Sequence, residues 1–72
     1  MSRRIELGFE GGGVLLLTVE DDHVTVLRSA LGGSGFHDVP SEEGDHLVFL
    51  AKVIYLRVLP GEVTGRIGFS GA

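Results

Sequence analysis

Histidine and acidic side chains are the groups in this sequence best suited to chemistry, and their spacing limits what they can do. The three histidines are His23, His37 and His46. No two of them have the i, i+2 or i, i+4 spacing that aligns side chains on one face of a strand or helix. Asp38 follows His37 directly, and neighbours in a strand point to opposite faces. We therefore predict neither a metal site nor an acid–base pair.

The other polar segments also lack a catalytic pattern. Residues 11–13 and 32–35 are glycine-rich, but they lack the lysine and the strand-to-helix context of a phosphate-binding loop. The acidic residues 42, 43 and 45 fit a solvated turn. The sequence has no cysteine, and the residue order assigns no base to any serine. We therefore predict that the protein is not an enzyme and that it needs no cofactor.

Size and charge narrow the class of protein further. The 72 residues suffice for one domain. Six basic against ten acidic residues give a net charge of −4, which disfavours a domain coated in positive charge for nucleic acid. The longest apolar stretch, residues 46–59, contains Lys52 and Arg57 and is shorter than the roughly 20 residues of a bilayer span. With no targeting segment recognised, a cytoplasmic location is the default expectation.

Apolar and polar residues alternate in a way that predicts a β-rich chain. Residues 5–10 alternate with period two, as a strand does. Residues 14–19 and 23–28 flank a short acidic turn, so they predict a β-hairpin. The later predicted elements are a glycine-rich loop at residues 29–35 and a short strand at 36–39. A polar turn at 41–45 and a final strand at 63–69 complete the prediction.

The apolar segment at residues 46–59 fits two structures. Its apolar residues would line one face of a helix at the i, i+3, i+4, i+7 spacing. Its β-branched and aromatic residues instead favour strands. We prefer two short strands at 47–50 and 54–59, which turn near Lys52, and a helix remains the alternative.

Several predicted strands are apolar on both faces, so both faces need to be covered. In residues 14–19 and 47–59, apolar and polar residues do not alternate regularly, whereas they should alternate in an antiparallel sheet with one solvent-exposed face. So short a chain has few elements to cover both faces. The pattern therefore predicts pairing with identical copies, around a ring that leaves no free strand edge. A small closed barrel that buries both faces itself is the alternative.

With these elements in place, the chain resembles the trp RNA-binding attenuation protein (TRAP) family. The resemblance covers about residues 14–69. It is carried by residues 14–21, residues 24–27, the Phe36-His37 pair after the glycine-rich loop, Gly44-Asp45, Leu56-Arg57-Val58 and Gly61-Glu62. Residues 1–13 have no counterpart, so they are expected to be an N-terminal extension that adds a strand.

The resemblance implies a fold and an assembly. It implies an all-β domain over residues 1–72, a small antiparallel sandwich or barrel-like subunit. About a dozen copies would form a closed ring with β-sheets shared between subunits. Such rings bind tryptophan between subunits and single-stranded RNA around the outside, and so act in transcription attenuation.

The resemblance also implies site residues. The ligand-binding loop corresponds to six residues of this chain: Ser29, Ala30, Gly32, Gly33, Ser34 and Gly35. The RNA-binding positions correspond to Arg57 and, as a base-stacking ring, Phe36. The chain departs from the family where Ala30 lies near an expected threonine and where Leu59 replaces an expected basic residue. The basic triad and the tryptophan pocket are therefore largely missing.

Three hypotheses follow from the sequence. The first is a ring that binds a small ligand, RNA or both. The second is a ring with a structural or protein-binding role. The third is a monomeric small β-barrel that serves as an interaction module.

Overall fold

The structure is a computed structural model, and it describes residues 1–60. It contains five strands, one helix and a short 3-10 helix, in the order β1 (Ser2–Phe9), β2 (Val14–Glu20), α1 (Asp21–Ala30), β3 (Phe36–Ser41), β4 (Gly44–Phe49), η1 (Leu50–Lys52) and β5 (Val53–Val58). The described residues are thus mostly antiparallel β-structure with one short helix, as the β-rich pattern predicts in outline. The final strand predicted at residues 63–69 lies outside the described residues.

A three-stranded antiparallel sheet has the order β2-β1-β5, so the first strand of the chain is its central strand. The strand predicted for residues 5–10 is confirmed, but it begins earlier, at Ser2, and ends one residue earlier, at Phe9. Gly11 and Gly12 carry the chain from β1 to β2 with φ angles of 96° and 97°, a region that glycine adopts without a steric penalty. The register of β1 against β5 shifts between Gly8 and Phe9, which forms a bulge.

A two-stranded sheet, the hairpin of β3 and β4, forms the second β layer. The strand predicted at residues 36–39 is confirmed and continues to Ser41. The two strands preferred for residues 46–59 are also confirmed, as β4 and β5, and the alternative of one helix over this segment is wrong. The short 3-10 helix that ends at Lys52 separates the two strands.

The predicted second strand of the first hairpin, residues 23–28, is wrong, because this segment lies within the helix α1. Its β-branched residues favour a strand, but burial follows a helical period. Val24 and Leu27 are buried, whereas Val26 between them is 51% exposed. Two acidic residues in the first turn and Arg28 in the last complement the helix dipole. Packing of the apolar stripe therefore outweighs the local propensity.

One core joins the two β layers and the helix. Ile5 and Leu7 of β1 are fully buried, as is Leu27 of α1, and Val39 and Val48 of the hairpin are nearly so. Since opposed residues of an antiparallel pair share a face, the odd-numbered residues of β1 and β2 face this core. The helix and hairpin thus cover the inner side of the three-stranded sheet.

The tip of the hairpin is fastened to the outer edge of β2. The backbone amide of Thr18 donates a hydrogen bond of 2.8 Å to the Glu43 carboxylate, and its hydroxyl donates another of 3.0 Å. The Glu42 amide donates to the carbonyl oxygen of Thr18 at 2.9 Å. These three bonds satisfy the polar groups of a residue that is only 4% exposed.

Candidate interaction surfaces

The outer side of the three-stranded sheet carries apolar residues at one end and charged residues at the other. The register aligns Val14, Gly8 and Tyr55 in one row across β2, β1 and β5. The next row contains Leu16, Glu6 and Arg57, and Arg4 follows on β1. Val14 and Leu16 are 57% and 47% exposed. We call this surface, made of Arg4, Glu6, Val14, Leu16, Tyr55 and Arg57, the open face.

Tyr55 is held in place on the open face by two neighbours. Its ring lies over Gly8, where a Cβ would come within 2.0 Å of the ring. Its hydroxyl donates a hydrogen bond to the Glu6 carboxylate, and this bond raises the pKa of the Tyr55 phenol above its ordinary value. Glycine at position 8 therefore makes room for the Tyr55 ring, and the ring covers the β1 backbone at this position, which has no side chain of its own.

The outer side of the hairpin carries aromatic and aliphatic residues in contact. Phe36 lies opposite Phe49, with ring centroids 4.9 Å apart, and Leu47 lies opposite Asp38. Phe36 and Leu47 are 62% and 68% exposed. We call this surface, made of Phe36, Asp38, Asp45, Leu47 and Phe49, the aromatic face.

The two sheets differ in the charge of their outer sides. Asp38 and Asp45 lie on the aromatic face without a basic side chain. On the outer side of the three-stranded sheet, Arg57 lies opposite Glu6, and Arg4 lies opposite Thr18, whose hydroxyl donates to the Glu43 carboxylate. Glu20 follows on the same side. This side therefore has no excess of positive charge.

The residues that the resemblance implies for ligand binding lie at the end of α1 and in the loop after it. Ser29 and Ala30 belong to the last turn of the helix rather than to a loop. Gly32 to Gly35 form the connection to β3, and they are exposed. The Gly33 amide donates to the Ala30 carbonyl at 3.1 Å, and the Gly35 carbonyl accepts from Leu50 at 3.0 Å. Backbone bonds thus hold this loop at both ends.

The two residues expected to contact RNA lie on different sheets. Phe36 begins β3 on the aromatic face, and Arg57 lies on β5 opposite Glu6. The sequence pattern did not single out Phe49, Leu47 or Tyr55, which complete the two faces. The strand register places these three residues on the two faces. In the sequence, only the alternation along β4 could have predicted part of this placement.

Two histidines line a groove between α1 and β3. It has a volume of about 270 Å³ and is lined by His23 and Leu27 of the helix and His37 and Val39 of the strand, among others. The spacing along the chain could not show this pair, because one member lies on an element predicted as a strand. Among residues 1–60, no three histidine, aspartate or glutamate side chains are grouped so that they could hold a metal ion.

Two further observations concern membrane spans and known proteins. In the described part, α1 is far too short to cross a bilayer, and no other helix there is long and apolar enough to do so. Compared with known proteins, the chain matches no family model, no curated protein and no solved structure. The resemblance to the TRAP family therefore remains a prediction.

Proposed function

We propose that the protein is a non-catalytic, self-assembling β subunit, whose recognition surfaces lie where copies meet. The observation that carries this proposal is the exposure of large apolar side chains on both outer faces of a two-layer fold. Nine apolar residues form the core of the described chain, and nine large apolar residues are exposed there. A domain that worked alone would leave such apolar surface in water at a cost in free energy and solubility.

Free strand edges support the same proposal. Within residues 1–60, β5 pairs with β1 alone and β4 pairs with β3 alone. An exposed apolar edge is a template for another chain unless something covers it. Contacts between copies through faces and edges would bury both kinds of surface, and a repeated heterologous contact closes into a ring.

The decisive experiment is native mass spectrometry of the full chain at micromolar concentration. We expect masses that are multiples of the 7.7 kDa subunit, and any retained small ligand would add to them. Analytical ultracentrifugation over a tenfold dilution series gives the matching solution result. A well-folded species of one chain throughout the series would refute self-assembly and favour the monomeric interaction module.

Binding of single-stranded RNA is the second candidate function. The exposed Phe36–Phe49 pair favours it, because aromatic rings are stacking platforms for bases. Arg57 would contribute a phosphate contact. Asp38 and Asp45 on the same face as the rings act against it through charge repulsion.

Titration of single-stranded RNA at two salt concentrations tests this second candidate. Affinity that falls steeply with salt, and falls again in both Arg57→Ala and Phe36→Ala, would support RNA binding. Val26→Ala, at an exposed site on α1, is the control. RNA affinity that is absent, or unchanged in both variants, would leave self-assembly as the function and remove these two residues from an RNA site.

A further inference from the structure

A cavity with two arginines in its lining lies between α1 and the inner side of the three-stranded sheet. It has a volume of about 350 Å³, and its lining residues are Arg3 of β1, Asp21, Val24, Thr25 and Arg28 of α1, and Val58 of β5. Small-molecule sites have volumes of roughly 300–1,000 Å³. We infer that this cavity binds a small organic acid, whose carboxylate meets the two arginines and whose hydrocarbon part meets the two valines. This inference concerns a single chain and stands independently of self-assembly.

Regular secondary structure places the lining residues together. The four lining residues of α1, at positions 21, 24, 25 and 28, have the i, i+3, i+4, i+7 spacing that puts side chains on one face of a helix. On the sheet, Arg3 lies opposite Val19, and Val58 lies opposite Ile5. Since Val19 and Ile5 are buried in the core, Arg3 and Val58 also lie on the inner side, next to this helix face.

The two guanidinium groups supply the hydrogen-bond donors that a carboxylate needs. Each has five N–H donors in a planar fork that matches the geometry of a carboxylate. Within residues 1–60, Arg28 forms no ion pair, and Arg3 forms one, a contact of 3.5 Å with the Asp21 carboxylate. The Thr25 hydroxyl already donates to the Asp21 carbonyl oxygen at 3.5 Å, so we assign it no ligand. Arg28 and most donors of Arg3 therefore remain available to an anion.

The charge of the lining fits a ligand with one negative charge. Arg3 and Arg28 against Asp21 leave one positive charge. The two acidic neighbours in sequence do not change this count. Glu20 is paired with the N-terminal ammonium group at 3.1 Å, and Asp22 lies about 100° around the helix from Asp21, outside the lining. A carboxylate matches this charge better than a doubly charged phosphate does.

Val24 and Val58 give the cavity an apolar wall. Val24 is buried, and Val58 is partly buried against the core. A hydrocarbon chain on the ligand would leave water when it meets these side chains, and each buried methylene adds to the affinity. The wall therefore favours an acid with a short hydrocarbon chain over acetate or an inorganic anion.

Four probes separate the contributions of charge and hydrocarbon. Hexanoate has both, acetate lacks the chain, 1-hexanol lacks the charge, and inorganic phosphate has charge alone. Ligand-observed NMR titrations of the full chain at neutral pH give the dissociation constants, whatever the mass of the assembled protein. We expect saturable binding of hexanoate, about tenfold or more tighter than that of each other probe.

Two pairs of variants locate the site. Arg28→Gln should weaken hexanoate binding by about tenfold, because it removes a charged donor from the cavity. Arg4→Gln removes the same charge from the next residue of β1 after Arg3, on the outer side of the sheet, and should leave the affinity unchanged. Asp21→Asn releases Arg3 from its ion pair, so it should strengthen binding by about three- to fivefold. Asp22→Asn removes the same charge outside the lining and is the matched control. Circular dichroism verifies that each variant is folded.

Several results would overturn the inference. Equal losses in Arg28→Gln and Arg4→Gln, or equal gains in Asp21→Asn and Asp22→Asn, would mean that the acid follows the net charge of the chain and has no site at this cavity. Hexanoate that binds no more tightly than 1-hexanol would remove the role of the arginines, and phosphate that binds more tightly than hexanoate would remove the role of the valines. The mass of the protein without any acid is a separate measurement, so failure of this site and failure of self-assembly are distinguishable.

Discussion

The carboxylate of Glu43 accepts two hydrogen bonds from Thr18, one from its backbone amide at 2.8 Å and one from its hydroxyl at 3.0 Å. The amide bond in particular lowers the pKa of the Glu43 carboxyl below its ordinary value. This pair joins the turn of the hairpin to the edge of β2. It therefore fixes the position of the aromatic face relative to the three-stranded sheet.

Thr18→Val should destabilise the fold by about 1 kcal/mol, because it removes one hydrogen bond at a buried site and preserves the side-chain shape. Chemical denaturation of the variant and the original chain measures the difference. Thr25→Val, on the exposed side of α1, is the control and should change stability by less than about 0.5 kcal/mol. Equal effects of the two substitutions would mean that the Thr18 hydroxyl contributes nothing.

Acid should loosen the hairpin through Glu43. Because the folded state lowers the pKa of this carboxyl, its contribution is present above the ordinary value of 4.5 and is lost as the pH falls through the lowered value. Thermal unfolding between neutral and acidic pH measures the loss. Glu43→Gln should be less stable at neutral pH and should change less with acid, whereas Glu42→Gln, its neighbour in the turn, should keep the original acid dependence. The same acid dependence in both variants would contradict this role.

Tyr55 should titrate above the ordinary tyrosine range. Since it is the only tyrosine in a chain without tryptophan, ultraviolet absorbance during alkaline titration reports it alone. Glu6→Gln removes the charged acceptor, so the pKa should fall towards its ordinary value. The stabilising contribution of this bond is complete below the ordinary tyrosine pKa and is lost as the pH rises through the raised value. Glu10→Gln, directly after the same strand and paired with Lys52, should leave the midpoint unchanged.

Leu27→Ala should cost about 2–5 kcal/mol, because Leu27 is fully buried where α1 packs on the core. Val26→Ala, at the neighbouring exposed site, should change stability by less than about 0.5 kcal/mol. Denaturant unfolding of both variants measures the contrast. A strand over this segment would place Val24 and Val26 on one face together, so a large effect at Val26 would contradict the helix.

Period-two alternation and turn residues predicted much of the β-structure. The strand at residues 5–10 and the division of residues 46–59 into two strands follow from β-branched residues and from the glycine and proline that bracket them. The strand predicted at residues 23–28 is wrong because Val24, Thr25 and Val26 have strand propensity, while the burial pattern of this segment is helical. The acidic first turn and the Val24, Leu27, Leu31 spacing were the available signals for the helix.

The two interaction surfaces could be predicted only in part. The sequence pattern indicated apolar strands that need cover, and the family resemblance implied Phe36 as a base-stacking ring, with a core or interface position as the alternative. It could not indicate that Phe49 meets Phe36 or that Tyr55 covers Gly8, because both contacts depend on strand register between distant segments. The charge on each face likewise emerges only once the register is known.

The central position of β1 has a consequence for how the chain folds during synthesis. Among the described elements, this strand is synthesised before the others, and its partner β5 is the last to emerge. Until then, one side of β1 lacks its neighbour, and contacts so distant along the chain form slowly. Nascent or prematurely terminated chains would therefore display an open strand edge, and they would be the species most in need of a chaperone.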